Sequence, residues 1–98
     1  MREQVYRKKP VIIKAMQFTP ESKNEVFNWI ISSQPAAVKP VAFTRDRTKL
    51  KIATLEGNMT AIYSDWIIKG VKGEFYPCKD DIFKATYEFV EDKNRRKL

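Results

Sequence analysis

The chain contains no histidine and only one cysteine, Cys78, among its 98 residues. The missing imidazole excludes histidine general bases, the nucleophile arrangements that depend on them, and zinc sites with histidine ligands. A single cysteine forms neither an internal disulfide nor a Cys-x-x-Cys metal or redox pair. We therefore expect no metal, no other cofactor and a reducing, cytoplasmic environment.

Long apolar runs and phosphate-binding loops are also missing. No segment approaches the roughly 20 apolar residues of a membrane span, so we expect no membrane partner. Gly70-Val-Lys-Gly73 is too short for a Walker A or dinucleotide motif and does not lie between a strand and a helix. The acidic pairs Asp80-Asp81 and Glu91-Asp92 are typical of a helix start and a solvated tail. These absences favour a binding protein over an enzyme.

Basic residues are in clear excess, with a formal net charge of +7. Residues 16–38 are nearly neutral, and the excess lies in three places: Arg7-Lys8-Lys9, the central residues Arg45, Arg47, Lys49 and Lys51, and the terminal run Arg95-Arg96-Lys97. Basic patches favour anionic partners such as nucleotides, nucleic acids or acidic proteins. A solvated, frayed tail is the alternative interpretation of the terminal run.

The length of the chain is sufficient for one domain with a single modest core. We assign it to residues 1–98, with frayed tails at 1–4 and 92–98. The order of the periodic patterns predicts an α+β fold. It comprises a mostly antiparallel sheet of short strands and hairpins, one amphipathic helix on one face of the sheet, and a short second helix near the C-terminus.

The first half of the chain predicts a strand, a helix and a second strand. Residues 11–18 are rich in β-branched and aromatic side chains, and because both faces begin apolar we expect a central strand. Thr19-Pro20 predicts the start of a helix over Glu21–Ser32. A short strand at Val41–Thr44 and a charged loop at 45–49 follow. The core-facing helix positions are Val26, Phe27, Ile30 and Ile31, with Trp29 beside them.

Leu50 to Tyr63 predicts a hairpin that turns at Glu56-Gly57. In that register the inward-facing pairs are Leu50 with Tyr63, Ile52 with Ala61, and Thr54 with Met59. A shift by one residue would bury Lys51, so the apolar pattern supports these faces.

A second hairpin is closed by Gly70-Val-Lys-Gly73. A four-residue loop bracketed by glycines places Lys69 opposite Glu74, Ile68 opposite Phe75, and Ile67 opposite Tyr76. Alternation then assigns to the core face Trp66, Ile68, Phe75 and Pro77.

The chain after this hairpin predicts the second helix and a last strand. Asp80 suits a helix N-cap and Asp81 the first turn. The apolar stripe of this helix is Ile82, Phe83 and Thr86. Tyr87–Val90 alternates aromatic and acidic residues, which predicts the last strand.

Lysines crowd the second hairpin and define the candidate ligand site. The expected phosphate contacts are Arg7, Lys8, Lys69, Lys72 and Lys79, with Trp66 or Tyr76 available to stack on a base. An alternative nucleic-acid surface consists of Arg45, Arg47, Lys49 and Lys51. A structural hairpin with solvated lysines is the simpler interpretation of the same residues.

Two stretches carry a family resemblance. They are Tyr6-Arg-Lys-Lys-Pro-Val-Ile-Ile13 with Ala15-Met-Gln-Phe-Thr19, and Ile67-Ile-Lys-Gly-Val-Lys-Gly-Glu-Phe-Tyr-Pro-Cys-Lys79 with Ile82-Phe83 and Thr86-Tyr-Glu88. With the Thr54–Thr60 hairpin, they resemble small proteins of unassigned function encoded by bacteriophages and prophages. That family tends to have Pro-Gly-Asp where this chain has Tyr63-Ser64-Asp65. The missing glycine weakens the idea that residue 64 must adopt a positive φ.

The resemblance implies a phage or prophage product in the cytoplasm of a bacterial host, and it transfers no catalytic residues. Three functions are compatible with it. The first is a binding module for an anionic ligand, such as a nucleotide signal of host defence. The second is a protein that binds and inhibits a host enzyme, and the third is weak nucleic-acid binding. An uncovered sheet edge could also pair two copies into a homodimer.

Overall fold

The computed structural model describes residues 2–34 and 40–91. In this part of the chain the elements are β1 (Lys14–Gln17), α1 (Lys23–Ser32), β2 (Val41–Phe43), β3 (Leu50–Thr54), β4 (Gly57–Ala61), β5 (Trp66–Lys69), β6 (Phe75–Cys78) and α2 (Asp80–Thr86). The strand pairs are antiparallel. The predicted α+β class, with one longer and one short helix, is confirmed. The predicted C-terminal tail and its basic run lie outside the described residues.

The strands form two three-stranded sheets, with the orders β1-β5-β6 and β2-β3-β4. The sheets meet where β6 lies against β3 and β4. Between them and α1 lies the core, which contains Phe18, Val26, Ile30, Val41, Leu50, Ile52, Ala61, Ile67 and Phe75. The prediction that the first strand is central was wrong. β1 is an edge strand and begins only at Lys14, and Val11 and Ile12 before it are exposed.

Helix α1 covers the core through two aromatic contacts. Trp29 meets Phe75 of the first sheet edge to face, and Phe27 stacks on Phe43 of the second. The helix begins two residues later than predicted because Ser22, not Thr19, is its N-cap. Val26 and Ile30 are fully buried as expected, whereas Ile31 is exposed.

The β3–β4 hairpin has the predicted faces but a different register. Thr54 pairs with Gly57, so the loop is Leu55-Glu56 and Leu50 lies opposite Ala61. The Thr54 hydroxyl donates to the Gly57 carbonyl across 2.6 Å, and Gly57 supplies a φ of 104°. Because the register differs from the prediction by two residues, the same residues still share a face. Leu50, Ile52 and Ala61 are buried there as expected, whereas Met59, which was also predicted to face inward, is exposed.

The register of the β5–β6 hairpin differs from the prediction by one residue, and this exchanges the two faces of β5. Lys69 pairs with Phe75 rather than with Glu74. The Gly73 N–H donates to the Gly70 carbonyl and Gly73 has a φ of 80°, as in a three-residue loop closed by a glycine bulge. The loop therefore has three residues rather than the predicted four, and the pairing of the two strands shifts by one residue. Ile67 therefore enters the core, and Trp66 and Ile68 face the other way, whereas Phe75 lies in the core as predicted.

Helix α2 covers that second face. Phe83 stacks on Trp66 with ring centroids 4.2 Å apart, and the Trp66 indole N–H donates to Asp80 Oδ1 across 2.8 Å. Asp80 is the first residue of α2 and Lys79 is the N-cap, which corrects the predicted cap. Of the predicted apolar stripe, Phe83 packs as expected, whereas the prediction for Ile82 was wrong because Ile82 is exposed.

The predicted strand at 87–90 does not form. Residues 87–91 have no regular structure, and Phe89 and Val90 are exposed. Tyr87 instead continues the aromatic contact of Phe83 with Trp66.

A tight turn at residues 62–65, just before β5, contacts the residue that follows β1 and the residue that follows β6. The buried Asp65 accepts the Ile62 N–H and forms an ion pair with Lys79. The backbone N–H of Ser64 donates to the Phe18 carbonyl, and the Phe18 N–H donates to the Asp65 carbonyl. Ser64 has a φ of 76°, so residue 64 adopts the left-handed conformation even without a glycine.

Replacing Ser64 by glycine should stabilise the protein. A left-handed residue with a Cβ costs roughly 1–2 kcal/mol, of which the extra flexibility of unfolded glycine cancels about half. We expect Ser64→Gly to raise the melting temperature by about 2–6 °C. Thr60→Gly, at an exposed strand position without a positive φ, is the control and should lower it. A lower melting temperature for both variants would contradict the strain argument.

The attachment of α2 should weaken in acid. The hydrogen bond from Trp66, followed by that from Lys84, lowers the pKa of Asp80. The resulting stability is present above the unfolded pKa of about 3.9 and is lost as the pH falls through the folded value. The fall in melting temperature between pH 6 and pH 3 should be smaller in Asp80→Asn than in the parent. Asp81→Asn should keep the parental fall, and identical behaviour of the two variants would refute the assignment.

Candidate anion-binding groove

A groove opens where the chain enters β1 beside the β5–β6 loop. Its volume is about 340 Å³. We call it the loop-end groove, and its lining residues are Ile12, Ile13 and Lys14 on one side and Lys69, Gly70, Val71 and Gly73 on the other. It therefore combines two ammonium groups with apolar side chains and loop backbone.

Two lysines of this groove are direct cross-strand neighbours. The β1–β5 register pairs Lys14 with Lys69. Side chains in such a pair have Cβ atoms about 4.5–5.5 Å apart, and like charges in this position destabilise a sheet. Within the described residues, neither ammonium group forms a salt bridge with a carboxylate. The pair is thus a concentrated and uncompensated positive charge.

An aromatic contact orients the side chain of Lys69. Its ammonium lies 5.9 Å from the centroid of the Phe75 ring, which itself packs against Trp29 in the core. A cation over an aromatic face is attracted by the ring quadrupole. Lys69 is therefore partly ordered before any ligand arrives, whereas Lys14 is exposed.

The nearest carboxylate of the loop is held on the other face of the hairpin. Glu74 directly precedes the core residue Phe75, so its side chain points away from Lys69. Its carboxylate accepts the Lys72 N–H across 3.0 Å and lies over Gly70, where an added Cβ would approach it to 2.5 Å. Gly70 makes room for this arrangement, and the carboxylate stays on the face of the hairpin opposite to Lys69.

The seven predicted ligand contacts do not form one site. Lys69 lines the groove, and Lys72 is exposed in the adjoining loop. Lys79 lies at the opposite end of the hairpin, where its ammonium is 3.1 Å from the Asp65 carboxylate. Four strand residues separate these ends by about 13 Å. Lys79 therefore belongs to the fold and not to the groove.

The other predicted contacts lie on the α2 side. Phe83 stacks on one face of the Trp66 ring, so that face is already occupied. Tyr76 faces the same way, and Lys8 lies 5.7 Å from the ring of the neighbouring Tyr87. Arg7 is exposed beside Lys8. These predicted contacts lie around the aromatic cluster of Trp66, Phe83 and Tyr87 rather than around the groove.

Titratable groups near this cluster stay neutral. Burial, followed by the hydrogen bond with Tyr87, raises the pKa of Tyr76 to about 12. Burial, followed by the nearby charge of Asp65, raises the pKa of the Cys78 thiol. A neutral phenol and a protonated thiol are poor nucleophiles at neutral pH.

The alternative basic surface is broken up by internal contacts. The Arg47 guanidinium lies 4.2 Å from the Phe43 ring centroid and donates to Asn24. Asp46 lies between Arg45 and Lys49 in a hollow of about 350 Å³. Hydrogen bonds from Thr44 and Thr48 lower the pKa of Asp46 to about 2, so its negative charge persists there. Lys51 projects separately from the outer face of β3.

The comparisons with known proteins add no relative. No protein-family model, no curated protein and no solved structure matches the chain. Within residues 2–34 and 40–91, no group of three or more acidic or cysteine side chains is arranged to hold a metal ion. In the same residues, no helix has the length and apolar character needed to cross a membrane.

The sequence reasoning missed Lys14 and the apolar rim formed by Ile12 and Val71. Lys14 stood inside the predicted first strand, but its partner on β5 is far away in the sequence. Exposed isoleucine and valine give no signal of their own, because scattered apolar side chains are normal on protein surfaces. Only the register between β1 and β5 brings these residues together.

Reversing one charge of the lysine pair should stabilise the fold. Lys14→Glu places a carboxylate opposite Lys69, and we expect a gain of about 0.2–1 kcal/mol in the free energy of unfolding at low salt. The gain should shrink at high salt because the pair is exposed. Chemical denaturation measures this change in the free energy of unfolding. It is carried out with and without salt at about 0.5 M, an ionic strength that screens surface charges.

Lys51→Glu is the matched control for this variant. It makes the same change in net charge, but its cross-strand neighbours are Ala42 and Thr60. Equal effects of the two variants would mean that net charge alone is responsible.

Proposed function

We propose that this protein is a small, non-enzymatic binding protein that captures an anionic ligand in the loop-end groove. The single observation that carries the proposal is the Lys14–Lys69 pair, two lysines at directly opposed backbone positions that form no salt bridge with a carboxylate in the described chain. An anion between the two ammonium groups converts their repulsion into two attractions. The repulsion within the pair destabilises the free protein, and its relief on binding favours the complex with the anion.

Binding without reaction is consistent with the chemistry available at the groove. Its polar groups are two ammonium groups and loop backbone, which hold an anion but supply no general base near neutral pH. The chain as a whole has no histidine. Capture of the ligand is therefore the proposed activity.

We further propose the setting implied by the family resemblance. A phage or prophage product in the cytoplasm of a bacterial host would act by removing an anionic signal, such as a nucleotide of host defence. The net charge of +7 supports this role by accelerating the encounter with a negatively charged ligand. The acceleration falls with ionic strength.

Ligand capture can be tested by calorimetric titration and thermal shift against phosphate, pyrophosphate and mononucleotides. Ligands that bind only the folded state raise the melting temperature in proportion to the logarithm of their concentration. We expect Lys14→Ala and Lys69→Ala each to weaken binding about tenfold or more, since each removes a charge-assisted contact. Lys51→Ala should bind like the parent. Failure of every anion to bind the parent would reject the proposal.

A second candidate function is binding to a host protein. It is favoured by the apolar side chains exposed along the chain ends, namely Val5, Tyr6, Ile12, Phe89 and Val90. A pull-down from nuclease-treated bacterial lysate should then retain one stoichiometric protein. Val5→Ser/Tyr6→Ser should lose it, whereas Lys14→Ala should keep it.

A further inference from the structure

The loop-end groove has two chemically different halves. Lys14 and Lys69 form its charged half. Ile12 and Val71 form an apolar rim, and these residues are 76% and 68% exposed. Exposed apolar surface beside a positive pair is complementary to a ligand that itself has an anionic end and an apolar body.

We propose that the ligand of this groove is a phosphate monoester with a flat apolar body, of about the size of a nucleoside monophosphate. This inference rests on the proposed anion capture and adds the class of ligand. The phosphate lies between Lys14 and Lys69, and the body lies against Ile12 and Val71. A bare inorganic anion would leave the apolar half of the groove uncovered.

The size of the groove supports the same class. Its volume of about 340 Å³ is at the lower end of the range of about 300–1,000 Å³ that small-molecule sites occupy. This volume is comparable with that of one mononucleotide, whereas a nucleic-acid strand would contact a longer basic track. The basic residues around Arg45 and Lys49, the alternative nucleic-acid surface, are interrupted by the Asp46 carboxylate.

The charge distribution around the loop also favours a phosphate. Glu74 is the one acidic residue of the loop region 69–75, and its carboxylate is bonded to the Lys72 N–H on the face away from Lys69. The phosphate therefore meets two ammonium groups without a competing carboxylate in the groove lining. Monoesters carry up to two negative charges near neutral pH, which matches the two lysines.

The test compares inorganic phosphate, phenyl phosphate, adenosine and adenosine monophosphate by calorimetric titration of the full chain. We expect phenyl phosphate and adenosine monophosphate to bind about tenfold more tightly than phosphate, because the apolar half then contributes. Adenosine, which lacks the anion, should bind more weakly than its monophosphate.

Two sets of variants separate the halves. Lys14→Ala and Lys69→Ala should weaken phosphate and both monoesters alike. Ile12→Ser/Val71→Ser, at exposed positions that leave the core intact, should reduce the monoester affinities to that of phosphate and leave phosphate unchanged. Melting curves of each variant confirm that it is folded.

The outcomes distinguish this inference from the proposed function. If phosphate and the monoesters bind equally, and Ile12→Ser/Val71→Ser changes neither, the ligand class is wrong while anion capture stands. If no phosphate compound binds the parent, both fail. Binding that is insensitive to the lysine variants would place the site elsewhere and overturn the inference.

Discussion

The antiparallel pairing of β1 with β5 is the contact on which the remaining structure depends. It joins two segments that are distant in the sequence, and backbone hydrogen bonds extend it beyond the strands, from Phe18 to Asp65 and from Ser64 to Phe18. This pairing carries Phe18 into the core and holds Ser64 in its left-handed conformation. It also places Lys14 beside Lys69, so one set of hydrogen bonds supports both the fold and the candidate site.

Both faces of the sheet β1-β5-β6 are covered, and this explains where a ligand site can lie. One face is buried against α1 and the second sheet, and α2 covers much of the other. The glycine bulge at Gly73 assigns the side chains of the hairpin to these two faces. The groove consequently lies at the end of the sheet, where side chains of β1 and the loop are not needed for packing.

Local patterns predicted much of the architecture. The apolar periodicity of Val26 and Ile30 identified α1, and the alternation of Leu50 and Ile52 identified the correct face of β3. Local patterns fail where two local conformations fit the same residues. A four-residue loop and a three-residue loop with a bulge both accommodate the letters Gly-Val-Lys-Gly, and the choice exchanged the predicted faces of Ile67 and Ile68. Similarly, the alternation at Tyr87–Val90 is typical of a strand, but the chain forms no sheet pairing there.

Composition and short-range periodicity were enough to predict the α+β class and the two helices. The composition also excluded any chemistry that depends on histidine, since the chain contains none. Local patterns act over a few residues, as turn conformations and side-chain periods do. Which lysines share a site was decided only by the packed chain: Lys79 pairs with the buried Asp65, Trp66 is covered by Phe83, and Lys14 takes a place beside Lys69. The reason is that strand pairing across a long separation is selected by the burial of the whole core, which no local segment encodes.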